Sequence, residues 1–176
     1  IGVASPFFNA YGLSTLKLSF SALALQAIVT SAVSLIFSPL IGRLQDKYGY
    51  RRVLVACIIG TLPLPWGWVL STPTNIIPLW LTSIFSGVFW PGINQGLVNV
   101  LMDRAPADYR GAALASYSAI TGVGTLVAGL LGGVLAMLIA NAQISVGPFQ
   151  IVGLAFLFVL SSLLRTVMVG VFWRTL

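Results

Sequence analysis

The sequence predicts an all-α membrane protein whose chain crosses the bilayer six times. Only 7% of its residues are charged and 58% are hydrophobic, whereas about 25% of the residues of a soluble domain are charged. The charges separate apolar runs, most of which reach the roughly 20 residues that a helix needs to cross the hydrocarbon core. The basic residues gather in two short segments between these runs, as is typical of cytoplasmic loops.

The six predicted spans follow from these apolar runs. The first run, residues 1–13, is too short to cross the bilayer, so we expect the start of its helix to be missing. The other runs cover residues 19–41, 53–70, 76–102, 111–140 and 148–172. Outer turns are expected at 14–18, 71–75 and 141–147, and inner segments at 42–52 and 103–110.

Segment 42–52 carries five of the chain's charged residues, which number nine basic and three acidic. Gly42 and Gly49 are expected to permit the positive φ or close approach that a tight reversal demands. Asp46 is expected to accept from free N–H groups at the start of the next helix. With this segment and 103–110 in the cytoplasm, every basic residue except Lys17 lies at or near the inner face.

The spacing of segment 42–52 resembles the signature loop of the major facilitator superfamily, G-x-L-x-D-[RK]-x-G-x-[RK]-[RK]. The matching residues are Gly42, Leu44, Asp46, Lys47, Gly49, Arg51 and Arg52. Tyr50 departs from it, because the family more often has a basic residue there, and this leaves the partner of Asp46 open. Segment 106–111 is also similar to the family's P-x-x-x-R-G turn, and the matching residues are Pro106, Arg110 and Gly111.

This resemblance covers the whole chain and implies half of a transporter, built from two inverted three-helix repeats. Residues 1–176 are expected to be the C-terminal half, without a soluble domain, because the sequence opens within an apolar run rather than with a polar leader. The implied function is secondary active transport of a small solute by alternating access. The implied partners are the bilayer and the N-terminal six-helix half. A transport-inactive sensor or assembly subunit with the same fold stays open as the alternative.

The composition argues against several other functions. All three acidic residues, Asp46, Asp103 and Asp108, lie in the inner segments, and the chain has no histidine. We therefore expect neither an enzyme nor a metal site, and no cofactor. The net charge of +6 does not indicate nucleic-acid binding, because the basic residues lie at span ends rather than on one face.

The resemblance also implies a conformational latch between the signature loop and the end of the fourth helix. Its predicted members are Gly42, Asp46, Arg51, Arg52 and Asp103, with Asp103 paired to Arg51 or Arg52. The alternative is that these are solvated residues with little coupling, since exposed ion pairs contribute only about 0–1 kcal/mol.

Polar side chains within the spans are candidates for a solute pathway, because an unpaired amide in lipid is costly. The candidates are Asn9, Gln26, Trp90, Asn94, Gln95, Asn99, Tyr117 and Thr121. The first and fourth spans both contain P-x-x-N, which predicts that Asn9 and Asn94 face a shared cavity. The alternative is that these residues only hydrogen-bond between helices.

Three other features have structural interpretations. Arg165 is expected to extend its guanidinium to the headgroups. Gly129 and Gly133 form a small-xxx-small pair that favours close helix packing. Trp66, Trp68 and Trp80 are expected in an aromatic belt at the outer interface.

Overall fold

The computed structural model of the protein describes residues 7–139, 143–146, 149–152, 162–163, 165–167 and 170. Its helices are α1 Phe7–Ser14, α2 Phe20–Tyr48, α3 Tyr50–Gly60, α4 Leu64–Val69, α5 Ile77–Arg104 and α6 Arg110–Ile139. A 3₁₀ turn, Ala107–Tyr109, precedes α6. Two antiparallel strands, β1 Gln143–Val146 and β2 Phe149–Val152, follow it. The described residues after 161 are helical.

Three stretches of the described chain are long and apolar enough to cross a membrane, namely Phe20–Tyr48, Tyr50–Val69 and Ala107–Leu135. Helix α5 is not among them, although its 28 residues give it a length of about 42 Å. Its polar residues, among them Asn94, Gln95 and Asn99, lower its hydropathy.

Segment 42–52 is helical almost throughout, which corrects the prediction that these residues form a loop between two helices. Helix α2 continues to Tyr48, and the chain reverses at Gly49 alone, whose φ of 86° favours glycine. Gly42 is an ordinary helical residue. Asp46 lies in the last turn of α2, so it does not cap α3, whose N-cap is Gly49. The helix continues because this places Gln45 on the buried face, one turn beyond Ile41.

The third predicted span, 53–70, is interrupted between α3 and α4. Pro63 and Pro65 lack the backbone N–H that would continue the α-helical ladder. The intervening residues form tighter turns instead, in which Leu62 N–H donates to Ile59 O at 3.0 Å and Leu64 N–H to Thr61 O at 3.3 Å.

The sixth predicted span does not begin at residue 148. Residues 149–152 are a β-strand paired with Gln143–Val146. The sequence of the first strand alternates polar and apolar residues, which suits a hairpin more than a helix that is apolar on all sides. Because of this hairpin, the described part is not purely α-helical.

Helices α2 and α5 pack closely along a stripe of small polar residues. A Cβ at Gly87 would lie 2.7 Å from the Thr30 carbonyl oxygen, so only glycine allows this approach. Thr30 Oγ1 donates to Ser83 O at 3.3 Å, and Ser34 Oγ donates to Gly87 O at 3.1 Å. In a membrane, such short side chains let two helices approach closely, and their hydroxyl groups find hydrogen-bond acceptors on the neighbouring helix.

Two apolar clusters form the core of the described residues. The first joins Tyr11, Leu16, Trp68 and Leu79, which come from α1, the following turn, α4 and α5. The second joins Ile41, Val53, Leu54, Cys57 and Ile93, which come from α2, α3 and α5.

Helix α6 leaves most of its apolar surface uncovered by the described residues. Val123, Leu126 and Leu130 are each more than 60% exposed. A Cβ at Gly122, Gly124 or Gly133 would meet no described atom within 4 Å. The close packing predicted at Gly133 therefore has no partner helix within the described part of the chain.

Candidate functional site

The break between α3 and α4 exposes backbone acceptors. In a continuous helix, the carbonyl of Thr61 would accept from the N–H of residue 65, but Pro65 has none. Arg165 Nη1 donates to Thr61 O at 3.1 Å. Ser162 Oγ, which is 3.4 Å from Leu62 O, also accepts from Trp66 Nε1 at 3.1 Å. The two prolines thus create the surface on which the helical residues after 161 dock.

Arg165 is buried, which corrects the prediction that it extends to the headgroups. Its relative exposure is 9%. Its Nε is buried with no hydrogen-bond partner among the residues described. The snorkelling prediction fails because the Thr61 carbonyl, which among the described residues otherwise accepts only the Leu64 N–H of the tighter turn at 3.3 Å, offers the guanidinium a partner inside the protein.

A cavity of about 430 Å³ lies beside Arg165, between the two apolar clusters. Its other lining residues are Phe8, Asn9, Gln26, Ala27, Thr30, Ser31, Leu64, Pro65, Trp68, Thr82, Ser83, Ser86 and Trp90. Three predicted pathway residues, Asn9, Gln26 and Trp90, therefore line one space. Trp68, which was expected at the outer interface, lines it too, and its ring contacts Phe8 with centroids 5.0 Å apart.

The other three predicted pathway residues, Asn94, Gln95 and Asn99, line a second cavity of about 390 Å³. Its remaining lining residues are Gly42, Gln45, Asp46 and Val98. The structure therefore does not bring Asn9 and Asn94 together, and Pro6 of the first P-x-x-N lies outside the described residues. Along α5, Trp90 faces one cavity and Asn94 the other.

Within the second cavity, two of the amides join α5 to α2. Gln95 Nε2 donates to Ser38 Oγ at 2.6 Å. Asn99 Nδ2 donates to Gln45 Oε1 at 2.8 Å, and Gln45 Nε2 donates to Gly92 O at 3.1 Å. Asn94 is exposed, and its side chain makes no hydrogen bond to any described residue.

The sequence interpretation missed the α2 side of these contacts. Thr30, Ser34 and Ser38 recur every four residues, which places them on one helical face toward α5. Gln45, which is 5% exposed, continues that face seven residues after Ser38. This spacing is visible in the sequence, but the predicted second span ends at residue 41 and so stops short of Gln45.

Tyr117 and Thr121, predicted on the fifth span, are bonded within their own helix. Thr121 Oγ1 donates to Tyr117 O at 2.7 Å. Neither residue lines the two cavities described above.

Near the end of α5, Asp103 contacts residues at the start of α3. Tyr50 OH donates to Asp103 Oδ2 at 2.6 Å, and Arg51 Nη2 lies 3.8 Å from the same oxygen. Arg51 Nε donates to Tyr50 OH at 3.4 Å. Tyr50, where the sequence departs from the signature, is thus the nearest partner of the carboxylate.

The remaining latch candidates are not joined to this contact. Within the part of the chain that the structure describes, Asp46 and Arg52 form no ion pair. Arg52 borders an apolar groove with Tyr48 and Phe89. Across the same ranges, no group of His, Cys, Asp and Glu side chains could hold a metal ion.

Comparison with known proteins identifies relatives of the chain. The model of the Major Facilitator Superfamily matches residues 1–175. The tetracycline resistance protein, class H, of Pasteurella multocida is 27% identical over 106 residues. That match covers 60% of this chain but only 26% of the relative's length.

Proposed function

The chain belongs to the major facilitator superfamily, and from that premise we propose that residues 1–176 are the C-terminal six-helix half of a secondary transporter. In this proposal the half consists of two inverted three-helix repeats, and a small solute crosses by alternating access at the interface with the N-terminal half. The family and the apolar helices make the protein a membrane-embedded transporter rather than an enzyme.

The cavity beside Arg165 is the observation that carries this proposal. It is a space of about 430 Å³ lined by polar and aromatic side chains in an otherwise apolar chain. Sites for small molecules combine an apolar wall with a few placed polar groups in this way. Residues of α1 and α5, the first and fourth helices of the half, contribute to its wall. These are the helices that face the pathway in the family.

Asn9, Gln26 and Trp90 are the side chains that we assign to solute contact. Asn9 and Gln26 offer amide donors and acceptors, and Trp90 offers an aromatic face. In the second cavity, Asn94 is free to contact a solute nearer the inner end. Gln95 and Asn99 hold α5 against α2. We therefore assign them no solute contact, and any effect that they have on transport comes from how they position α5.

The latch is the second part of the proposal. Asp103, Arg51 and Tyr50 connect the start of α3 to the end of α5. If these ends separate when the transporter changes state, the contact stabilises one state over the other. Asp46 in the last turn of α2, Arg52 in the first turn of α3 and Gly42 earlier in α2 make no side-chain hydrogen bond or ion pair with this group, so their part in the latch depends on contacts with the other half.

Accessibility of the cavity from both sides tests alternating access. The full-length transporter, with Cys57 replaced by serine, receives a cysteine at Gln26. A membrane-impermeant thiosulfonate should modify it both in right-side-out and in inside-out vesicles, because the cavity opens alternately. A cysteine at Leu25, which is exposed and lines neither of the two cavities, is the matched control and should react from neither side. Modification of the Gln26 cysteine from one side only contradicts the proposal and favours the transport-inactive alternative.

A further inference from the structure

The charge of Arg165 has no counter-charge among the described residues. Arg165 is nine-tenths buried, and its one hydrogen bond to a described residue goes to a neutral carbonyl, that of Thr61. A buried cation is costly unless an anion or several acceptors surround it. None of the residues that line its cavity is acidic.

The aspartates of the chain cannot supply that anion. Asp103 lies beside Tyr50 and Arg51, at the first turn of α3. Arg165 contacts Thr61, just beyond the last residue of the same helix. At 1.5 Å per residue, these two ends of α3 are about 15 Å apart. Asp46 and Asp108 belong to the same inner segments as Asp103.

The free edge of the guanidinium has the geometry of an oxyanion site. Nη1 is occupied by Thr61 O, whereas neither Nε nor Nη2 has an acceptor among the described residues. The N–H bonds of Nε and Nη2 are parallel, and this pair matches the two oxygens of a carboxylate. Burial strengthens such a contact, because little water competes for it.

We propose that the cavity binds a small organic acid, with its carboxylate on Arg165 and its apolar or aromatic body against Trp68 and Trp90. This inference rests on the proposed transport function and names the substrate class of the same site. Phe8 stacks at a tilt on Trp68 and holds that ring at the wall. Gln26 and Asn9 are left to bind a second polar group of the solute.

Matched pairs of charged and uncharged probes test this assignment on the purified full-length transporter. Benzoate is compared with benzamide, and indole-3-acetate with indole-3-acetamide, by thermal unfolding and by tryptophan fluorescence. A ligand that binds only the folded state raises its stability. Each acid should bind at least about tenfold more tightly than its amide, because one charge-assisted contact is lost in the amide.

Variants of Arg165 identify the residue responsible. Arg165→Gln should abolish the preference for the acid, and Arg165→Lys should keep part of it, since the charge remains but the fork does not. Arg43→Gln removes an exposed charge on α2 and should leave the preference unchanged. If Arg165→Gln does not fold, the wild-type comparison of acid and amide still decides the question.

Three results would overturn the assignment. The acids and amides of the wild-type protein could bind equally, as expected if an acidic side chain of the other half neutralises Arg165. Acetate or inorganic phosphate could bind as tightly as benzoate, in which case the aromatic wall plays no part. The preference for the acid could also survive in Arg165→Gln.

Binding and transport are measured separately, so the two proposals can fail separately. Acid binding without accessibility from both sides supports the acid site but contradicts transport. Accessibility from both sides without acid binding supports transport but contradicts the acid site.

Discussion

Tyr50 makes the shortest side-chain contact to Asp103 among the described residues, although it departs from the spacing of the family's loop. The family usually has a basic residue at this position, but here a phenol donates to Asp103 Oδ2 at 2.6 Å. Arg51 approaches the same carboxylate and also donates to the phenol oxygen. The tyrosine therefore orients both the acid and the arginine, as a neutral hydrogen-bond donor does without adding charge.

Replacing Tyr50 by phenylalanine should test whether this contact is a latch. The thermal unfolding midpoint of the full-length transporter should move by no more than about 2 °C, because exposed polar pairs contribute little to stability. The rate of transport, measured in proteoliposomes once a solute is identified, should fall severalfold as the population of states shifts.

Tyr109→Phe is the matched control, because that phenol is exposed and its hydroxyl bonds to no described residue. It should change neither quantity. Normal transport in both variants would contradict a latch at Asp103.

Arg165 shows that the position of one side chain can depend on a distant part of the chain. Its side chain was expected at the headgroups, but a carbonyl released by a distant proline holds it inside. A single residue's environment depends here on a break that lies about a hundred positions earlier in the chain.

At the scale of elements, the contact between α2 and α5 is the best-defined packing of the described chain. Small residues allow the backbones to approach, and hydroxyls and amides of each helix bond to the other. Gln45 makes two of these contacts, because it is buried and bonds both to Gly92 O and to Asn99.

Gln45→Ala should therefore destabilise the transporter by about 1–3 kcal/mol, since it leaves buried polar groups unpaired. The measurement is thermal or denaturant unfolding of the purified full-length protein. Asn94→Ala is the control. It truncates an exposed amide on the same helix pair that bonds to no described residue, and should cost no more than about 0.5 kcal/mol.

The comparison also separates packing from solute binding. If Asn94 contacts the solute, its alanine variant loses affinity while it keeps its stability. Equal destabilisation by both substitutions would mean that Asn94 packs against the remainder of the protein.

At the scale of the whole molecule, the distribution of charge predicts the orientation of the chain in the membrane. The basic residues other than Lys17 are at or near one predicted face, and a bias of this kind sets topology. The long apolar helices agree with a chain embedded in the bilayer.

Single cysteines at Asn75 and Asn141, in the full-length protein without Cys57, should be labelled from outside intact cells by an impermeant maleimide. Cysteines at Tyr48 and Ala107 should be labelled only after the cells are made permeable, because both lie within the predicted inner segments. Labelling of the Tyr48 cysteine in intact cells would reverse the orientation and contradict the six-span arrangement.

The sequence by itself determined that this is a helical membrane protein, and it identified the family through segment 42–52. These conclusions depend on composition and on local spacing, which need no knowledge of how helices pack. It also placed the turn at 71–75, where Thr72 and Asn75 exchange backbone hydrogen bonds. Breakers and charges act on the residues next to them, so they can be interpreted locally.

Only the tertiary structure decided which polar residues share a cavity. Asn9, Gln26 and Trp90 come from three helices, and their joint position depends on how α1, α2 and α5 cross. The division between Trp90 and Asn94, one turn apart on α5, depends on what α2 and α4 place opposite each. Arg165 joined the first cavity because Pro65 released the Thr61 carbonyl, and no local pattern around residue 165 could reveal that acceptor.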